Sequence, residues 1–279
     1  MPILSLSKTF QSDLRGKLEG STSVKSITHV LNSIPTFISI KESIQKVLDE
    51  DKFVVIKGFP VGSKKDRLFF EALVSQFGQF YGAVEFTGIK VDCRYAACSR
   101  NALTLHNDDP IDLVKQPKLG VIQVIKQDPL FKVENGVVII RELIRVLKFE
   151  NKKLLDDLLS TPVPMLSYGV NYDDDNKDEI VINEPILRKT EVGYMVRFDF
   201  DRNKFYYQIK QEKQKYEESK MIYDFLFYAD KIKKTMVLEL GDILIHNNLE
   251  ALHDRGECSI EFNEDGSLNS REILVSFVR

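Results

Sequence analysis

Apolar residues recur along this chain with two different spacings. Within Ile40 to Asp49, the positions Ile44, Val47 and Leu48 share one side of a 3.6-residue repeat, as do Leu68, Phe69, Ala72, Leu73 and Phe77 within Lys65 to Phe77. Both segments predict amphipathic helices packed outside a β core. Val137 to Leu159 opens as a Val-Val-Ile-Ile run and continues with Leu143, Ile144, Leu147, Leu154 and Leu158 at helical spacing, which predicts a strand-like entry and two covering helices. Met236 to Ile245 reads as two strands broken by a turn at Gly241-Asp242, since glycine and aspartate favour tight reversals. Lys210 to Lys220 reads as a charge-rich helical face, and Met221, Tyr223, Phe225 and Phe227 lead from it toward the core. The acidic stretch Tyr172 to Glu179 lacks the regular ligand alternation and closing glutamate of a calcium loop and is read as a solvated loop, a candidate lid.

Composition narrows the class. A chain of 279 residues without a Gly/Ser/Pro-rich linker can bury one sizeable core, so one domain over 1–279 is the simplest organisation. A net charge of −3 with no basic tract argues against nucleic-acid or anionic-membrane partners, whose affinity comes from clustered Lys and Arg. Met1 to Lys8 has no signal-peptide pattern and no apolar run reaches bilayer length, so the expectation is a soluble cytoplasmic protein. Cys93, Cys98 and Cys258 are too few and too badly spaced for a zinc knuckle or a disulfide framework, and are expected as free thiols.

The candidate chemistry lies in the histidines, of which there are four: His29, His106, His246 and His253. In Leu105-His106-Asn107-Asp108, residues i and i+2 of a strand from Leu103 share a face, so His106 and Asp108 can reach one ion while Asn107 faces away. Pro110 ends any ladder there, because proline has no N–H to donate. A third donor is needed. His29 has no acidic or histidine neighbour at ligand spacing, which leaves His246 and His253. His246 ends a predicted strand and leads into Asn247-Asn248, where a structural role in the following turn is expected; His253 lies in a loop-like setting beside Arg255. Two imidazoles and one carboxylate on a single face of Fe(II) leave the other face open for co-substrate and dioxygen.

The stretch Gly241-Asp242-Ile243-Leu244-Ile245-His246-Asn247-Asn248 through His253-Asp254-Arg255 resembles the distal-ligand motif of the Fe(II)/2-oxoglutarate dioxygenases of the taurine dioxygenase and clavaminate synthase superfamily. In that motif a Gly-Asp turn leads through a strand to an asparagine and then to the ligand histidine, which favours His253 over His246. Asp254 stands where glycine is usual. Phe53 to Pro60, Phe77 to Gly82, and His106 to Asp108 with the later Leu119-Gly120 pair are similar to the family's early strand, following segment and proximal motif in the correct order. Ser270 to Phe277 is similar to its terminal strand, whose arginine holds the far carboxylate of 2-oxoglutarate. That assigns Arg271, whose planar guanidinium suits two parallel hydrogen bonds to a carboxylate. The turn Phe262 to Asn269 would account for the long separation from His253. The family's second co-substrate contact aligns with Asn135.

The resemblance implies a mainly β fold with flanking helices, the double-stranded β-helix or jelly roll of cupins, with Fe(II) bound and 2-oxoglutarate and dioxygen as co-substrates. Asp108, where halogenating relatives carry a small residue, implies hydroxylation or desaturation. The substrate implied is a small polar metabolite, first a free or carrier-bound amino acid, with a sulfonate or other small acid as the alternative. Asp199 and Asp201 are read as alternating on one strand face, able to receive a cationic group or to pair with Arg197 and Arg202, and Arg255 is read as lining the pocket. Val275 stands where amino-acid hydroxylases carry a second arginine for the substrate carboxylate. A non-catalytic cupin-like metal sensor is the rival class, and Arg271 speaks against it, since a metal holder needs no keto-acid anchor.

Overall fold

Two β-sheets pack face to face, with helices over their outer surfaces, in a computed structural model that describes residues 1–62, 64–90, 96–110, 116–168 and 179–279. In chain order the first half comprises β1 (Ile3–Ser5), α1 (Lys8–Glu19), α2 (Val24–Ser33), α3 (Pro35–Asp51), β2 (Phe53–Lys57), α4 (Asp66–Val74), β3 (Phe80–Gly88), β4 (Leu103–His106), β5 (Leu119–Lys126) and β6 (Glu134–Ile139). There follow α5 (Ile140–Glu150), α6 (Lys152–Ser160), β7 (Pro162–Tyr168), β8 (Glu179–Pro185), β9 (Leu187–Thr190), β10 (Gly193–Val196), α7 (Phe200–Lys210) and α8 (Tyr216–Ile232). The chain closes with β11 (Lys234–Val237), β12 (Ile243–Asn247), β13 (Ala251–Arg255), β14 (Ile260–Phe262), β15 (Leu268–Ser270) and β16 (Glu272–Val278).

The larger sheet runs β1-β2-β12-β5-β16-β3 and the smaller β11-β6-β13-β4. Phe53, Val55, Val124 and Leu244 from the larger meet Val137, Ile139, Met236 and Ala251 from the smaller, and this shared apolar layer joins them. Two-sided burial explains the unbroken apolar run in β2: Phe53 and Val55 face the other sheet, while Val54 and Ile56 face the N-terminal helices. On the outside of the smaller sheet, α5 presents Ile140, Leu143, Ile144 and Leu147, the i, i+3, i+4, i+7 stripe its sequence predicts. Asn151 caps α6 by accepting from the Leu154 N–H.

Several local expectations are corrected. α1 and α2 lie upstream of the helices the apolar spacing picked out, α3 extends beyond Ile40 to Asp49 at both ends, and α4 stops at Val74 rather than Phe77. The segment holding Asp199 and Asp201 is not a strand. Asp199 is the N-cap of α7, accepting from the Arg202 N–H, and Asp201 sits in its first turn. Of the cysteines expected as free thiols, Cys98 is disulfide-bonded, Cys258 is free and buried, and Cys93 lies outside the described residues. The candidate lid Asp173-Asp174-Asp175-Asn176 also lies outside them. Among the described residues no helix is long and apolar enough to cross a membrane.

Candidate metal centre

The site extends the layer between the sheets by one row of polar side chains. His253 occupies the middle of β13, not a loop, and pairs with His106 on β4 and Val137 on β6. Because paired residues share a face, both imidazoles point inward, and their ring centroids lie 4.2 Å apart. Asp108 follows two residues beyond the end of β4, and ligand atoms of His106, Asp108 and His253 all fall within 4.8 Å of one another. The trio read from the sequence therefore converges.

Each donor is prepared by its surroundings. Nδ1 of His106 lies 2.8 Å from the Thr104 carbonyl oxygen. A carbonyl can only accept, so Nδ1 carries the proton and the lone pair is on Nε2, toward the cluster. Burial first, then the neighbouring His106 and His246 rings, push the His253 imidazole well below its ordinary value, so it is neutral and able to ligate at neutral pH. Burial alone would raise the Asp108 carboxyl; the surrounding His253, His246 and His106 imidazoles outweigh it and hold Asp108 well below the ordinary carboxylate range. Two neutral imidazoles and a carboxylate fit a divalent iron ion.

Asn248, the asparagine of the distal motif, fixes Asp108 through its backbone. Its Oδ1 accepts from the Asp108 N–H at 2.7 Å, and its Nδ2 donates to the Asp108 carbonyl at 2.8 Å and to the Pro117 carbonyl at 3.1 Å. Asn107 faces away, as the alternation predicts, and exchanges two bonds with the Phe198 backbone. Asn248→Ala is expected to strip these partners, lower stability by ~1–3 kcal/mol, and weaken metal binding about tenfold by loosening Asp108; thermal melts and a Co(II) titration check both.

Arg271 precedes β16 and turns inward: it is 5 % exposed, and its Nη2 donates to Asn135 Oδ1 at 3.3 Å. No carboxylate of the described residues forms a salt bridge with it, and burial pushes its guanidinium down to about 10, still cationic at neutral pH. Asn135 lies on β6 two residues from Val137, the register partner of His253. The Arg271–Asn135 pair is thus ~7 Å along the strand from the His253 row, a span that a five-carbon diacid covers.

The remaining sequence candidates take other places. Arg255 is buried and donates to the Ser99, Asn101 and Gly256 carbonyls, clamping the loop before β4. Asp199 pairs with Arg202 at 3.2 Å, and its backbone bridges to His106; Asp201 accepts from the Thr104 hydroxyl at 2.9 Å. Arg197 does not join them but donates to the Val163 and Glu184 carbonyls.

Two residues of the site were not read from the sequence. His246, expected at a strand end with a structural role in the following turn, does lie on β12 but points into the cluster, with Nε2 3.4 Å from Asp108 Oδ2 and its ring 4.2 Å from that of His253. Glu85 on β3 pairs with Val275 on β16; it is solvent-exposed, and partial desolvation, then the Asp108 carboxylate, push its carboxyl up. Both faces of β12 are buried, so the alternation along it carries no signal for His246.

A family model described as taurine catabolism dioxygenase TauD, TfdA family, matches residues 30–274. The chain belongs to this family and is an Fe(II)- and 2-oxoglutarate-dependent dioxygenase. No curated protein sequence matches it. Its fold is similar to that of an asparagine oxygenase solved with Fe(II), 3-hydroxyasparagine and succinate, with a TM-score of 0.77 at 15 % identity over 100 % of this chain and 93 % of that one. It is also similar to the non-heme iron oxygenase OrfP solved with Fe, succinate and (3S)-hydroxy-L-Arg, with a TM-score of 0.71 at 14 % identity over 100 % and 94 % of the two chains.

Proposed function

We propose that this dioxygenase hydroxylates an unactivated C–H bond of an amino acid, with His106, Asp108 and His253 as the iron ligands and Arg271, beside Asn135, as the anchor for the far carboxylate of 2-oxoglutarate. The observation that carries this reading is the pairing of a converged His-Asp-His cluster with a buried arginine that no carboxylate of the described residues neutralises. A desolvated cation of that kind calls for an anionic partner. Bound there, iron and the keto acid supply the chemistry that couples decarboxylation to succinate with oxygen insertion into the substrate. The two facing sheets are read as a double-stranded β-helix, and residues 1–279 as one domain.

The substrate class is supported by what the two solved neighbours hold, a hydroxyasparagine and a hydroxyarginine. Val275 favours a second reading within the same class. It faces Glu85 across the strand pair and offers no cation to a free α-carboxylate, which suits an amino acid whose carboxyl is tied to a carrier as a thioester. Succinate release from Fe(II), ascorbate and 2-oxoglutarate, measured with a panel of free L-amino acids and their aminoacyl thioesters, tests both. Stimulation by an amino acid or its thioester, with a product heavier by one oxygen atom, is expected. Stimulation by sulfonates and not by any amino acid derivative would replace this reading.

A further inference from the structure

His246 is the member of the cluster that neither the ligand trio nor the co-substrate anchor uses. Its imidazole is completely buried, and neither ring nitrogen makes an aligned hydrogen bond. Nε2 nevertheless stands within hydrogen-bond distance of Asp108 Oδ2, at 3.4 Å. Contacts of this kind tighten when the acceptor is drawn into its working position. The place for the ring is built in. His246 pairs with Gly120 on β5, and a Cβ at Gly120 would lie 2.6 Å from His246 Nε2 and 3.2 Å from Asp108 Oδ2. Glycine at this position therefore leaves room for an imidazole beside the carboxylate, which accounts for the Leu119-Gly120 pair in physical terms.

Asp108 is engaged differently at its two oxygens. Oδ1 faces His106 Nε2 at 3.8 Å, whereas Oδ2 faces His246 and His253. We propose that His246 is a positioning residue of the metal centre: its Nε2–H holds Oδ2 of Asp108, so that the carboxylate meets the ion through Oδ1 alone. Three protein donors would leave the open face of a bound ion to the keto acid and dioxygen. A carboxylate free to swing and bind through both oxygens would take part of that face.

This inference rests on the metal-site reading, and Co(II) binding tests the two separately. Co(II) serves as the probe because its d–d absorption reports coordination number. His246→Leu keeps the bulk but cannot donate, whereas His246→Gln places an N–H in nearly the same position. The Gln variant is expected to hold Co(II) within about threefold of wild type with an unchanged spectrum, and the Leu variant to lose 10–100-fold, the usual effect of removing an outer-shell partner, with altered d–d bands. Unchanged affinity and spectrum in the Leu variant would reduce His246 to packing. A Gln variant as impaired as Leu would make the imidazole itself a ligand and overturn the proposal. Should the Leu variant not fold, long-range 1H–15N spectra of the Zn(II)-loaded wild type decide the matter: a proton on His246 Nε2 is expected, and a bare or metal-bound Nε2 refutes it. Wild type that binds no Co(II), or His253→Ala that binds it equally well, would instead remove the metal-site reading and this inference with it.

Discussion

His253→Ala is expected to abolish succinate formation and to weaken Co(II) binding by more than the 10–100-fold that losing an outer-shell partner costs. The reason is positional. His253 stands on a strand hydrogen-bonded on both sides, facing His106 across one ladder and Val137 across the other, so its backbone is held where the imidazole meets the rest of the trio. Burial and the adjacent imidazoles keep its ring neutral, and with it removed one imidazole and one carboxylate of the trio remain. The fold should survive, since Nδ1 of His253 has no hydrogen-bond partner to forfeit. A variant that retains full turnover would exclude His253 from the centre, and a melt compared with wild type excludes unfolding as the cause.

Arg271→Ala should separate co-substrate binding from stability. Two charge-assisted hydrogen bonds to a carboxylate contribute ~1.5–3 kcal/mol each, so the KM for 2-oxoglutarate is expected to rise on the order of 10²–10⁴-fold. Arg271→Lys should recover part of this, because it restores the charge but not the planar pair of donors. Stability of the protein without co-substrate should move the other way or not at all. Arg271 is a buried cation with an amide as its partner, and removing an uncompensated charge relieves desolvation. Heating scans with and without 2-oxoglutarate make the distinction: wild type gains stability from the ligand, and the alanine variant does not. A variant that melts lower yet keeps the wild-type KM would assign Arg271 to the architecture instead.

The parts of the site legible in the sequence are those set by short range. His106 and Asp108 are two residues apart, and the strand repeat alone places them on one face. The α5 stripe is equally local, and α5 and α6 appear where the spacing of Leu143 to Leu158 puts them. Asp199 shows how a local signal can be misread. Its alternation with Asp201 suggested a strand, but an aspartate three residues before Arg202 and ahead of a polar helical run is also an N-cap, and the backbone took that option.

His246 fails for a different reason. In β12 the alternate residues Ile243 and Ile245 face the helices while Leu244 and His246 face the smaller sheet, so both faces are buried and the polar pattern does not say which side is interior. Only the packing of one sheet on the other decides that His246 meets Asp108, and likewise that Arg271, far along the chain from Asn135, comes within 3.3 Å of it. The sequence by itself determined the pairing of His106 with Asp108 and the helices whose stripe repeats every few positions, because those features depend on neighbours along the chain. The tertiary structure alone decided the third imidazole, the glycine that makes room for it and the asparagine clamp on Asp108, because each depends on which faces of distant strands are pressed together.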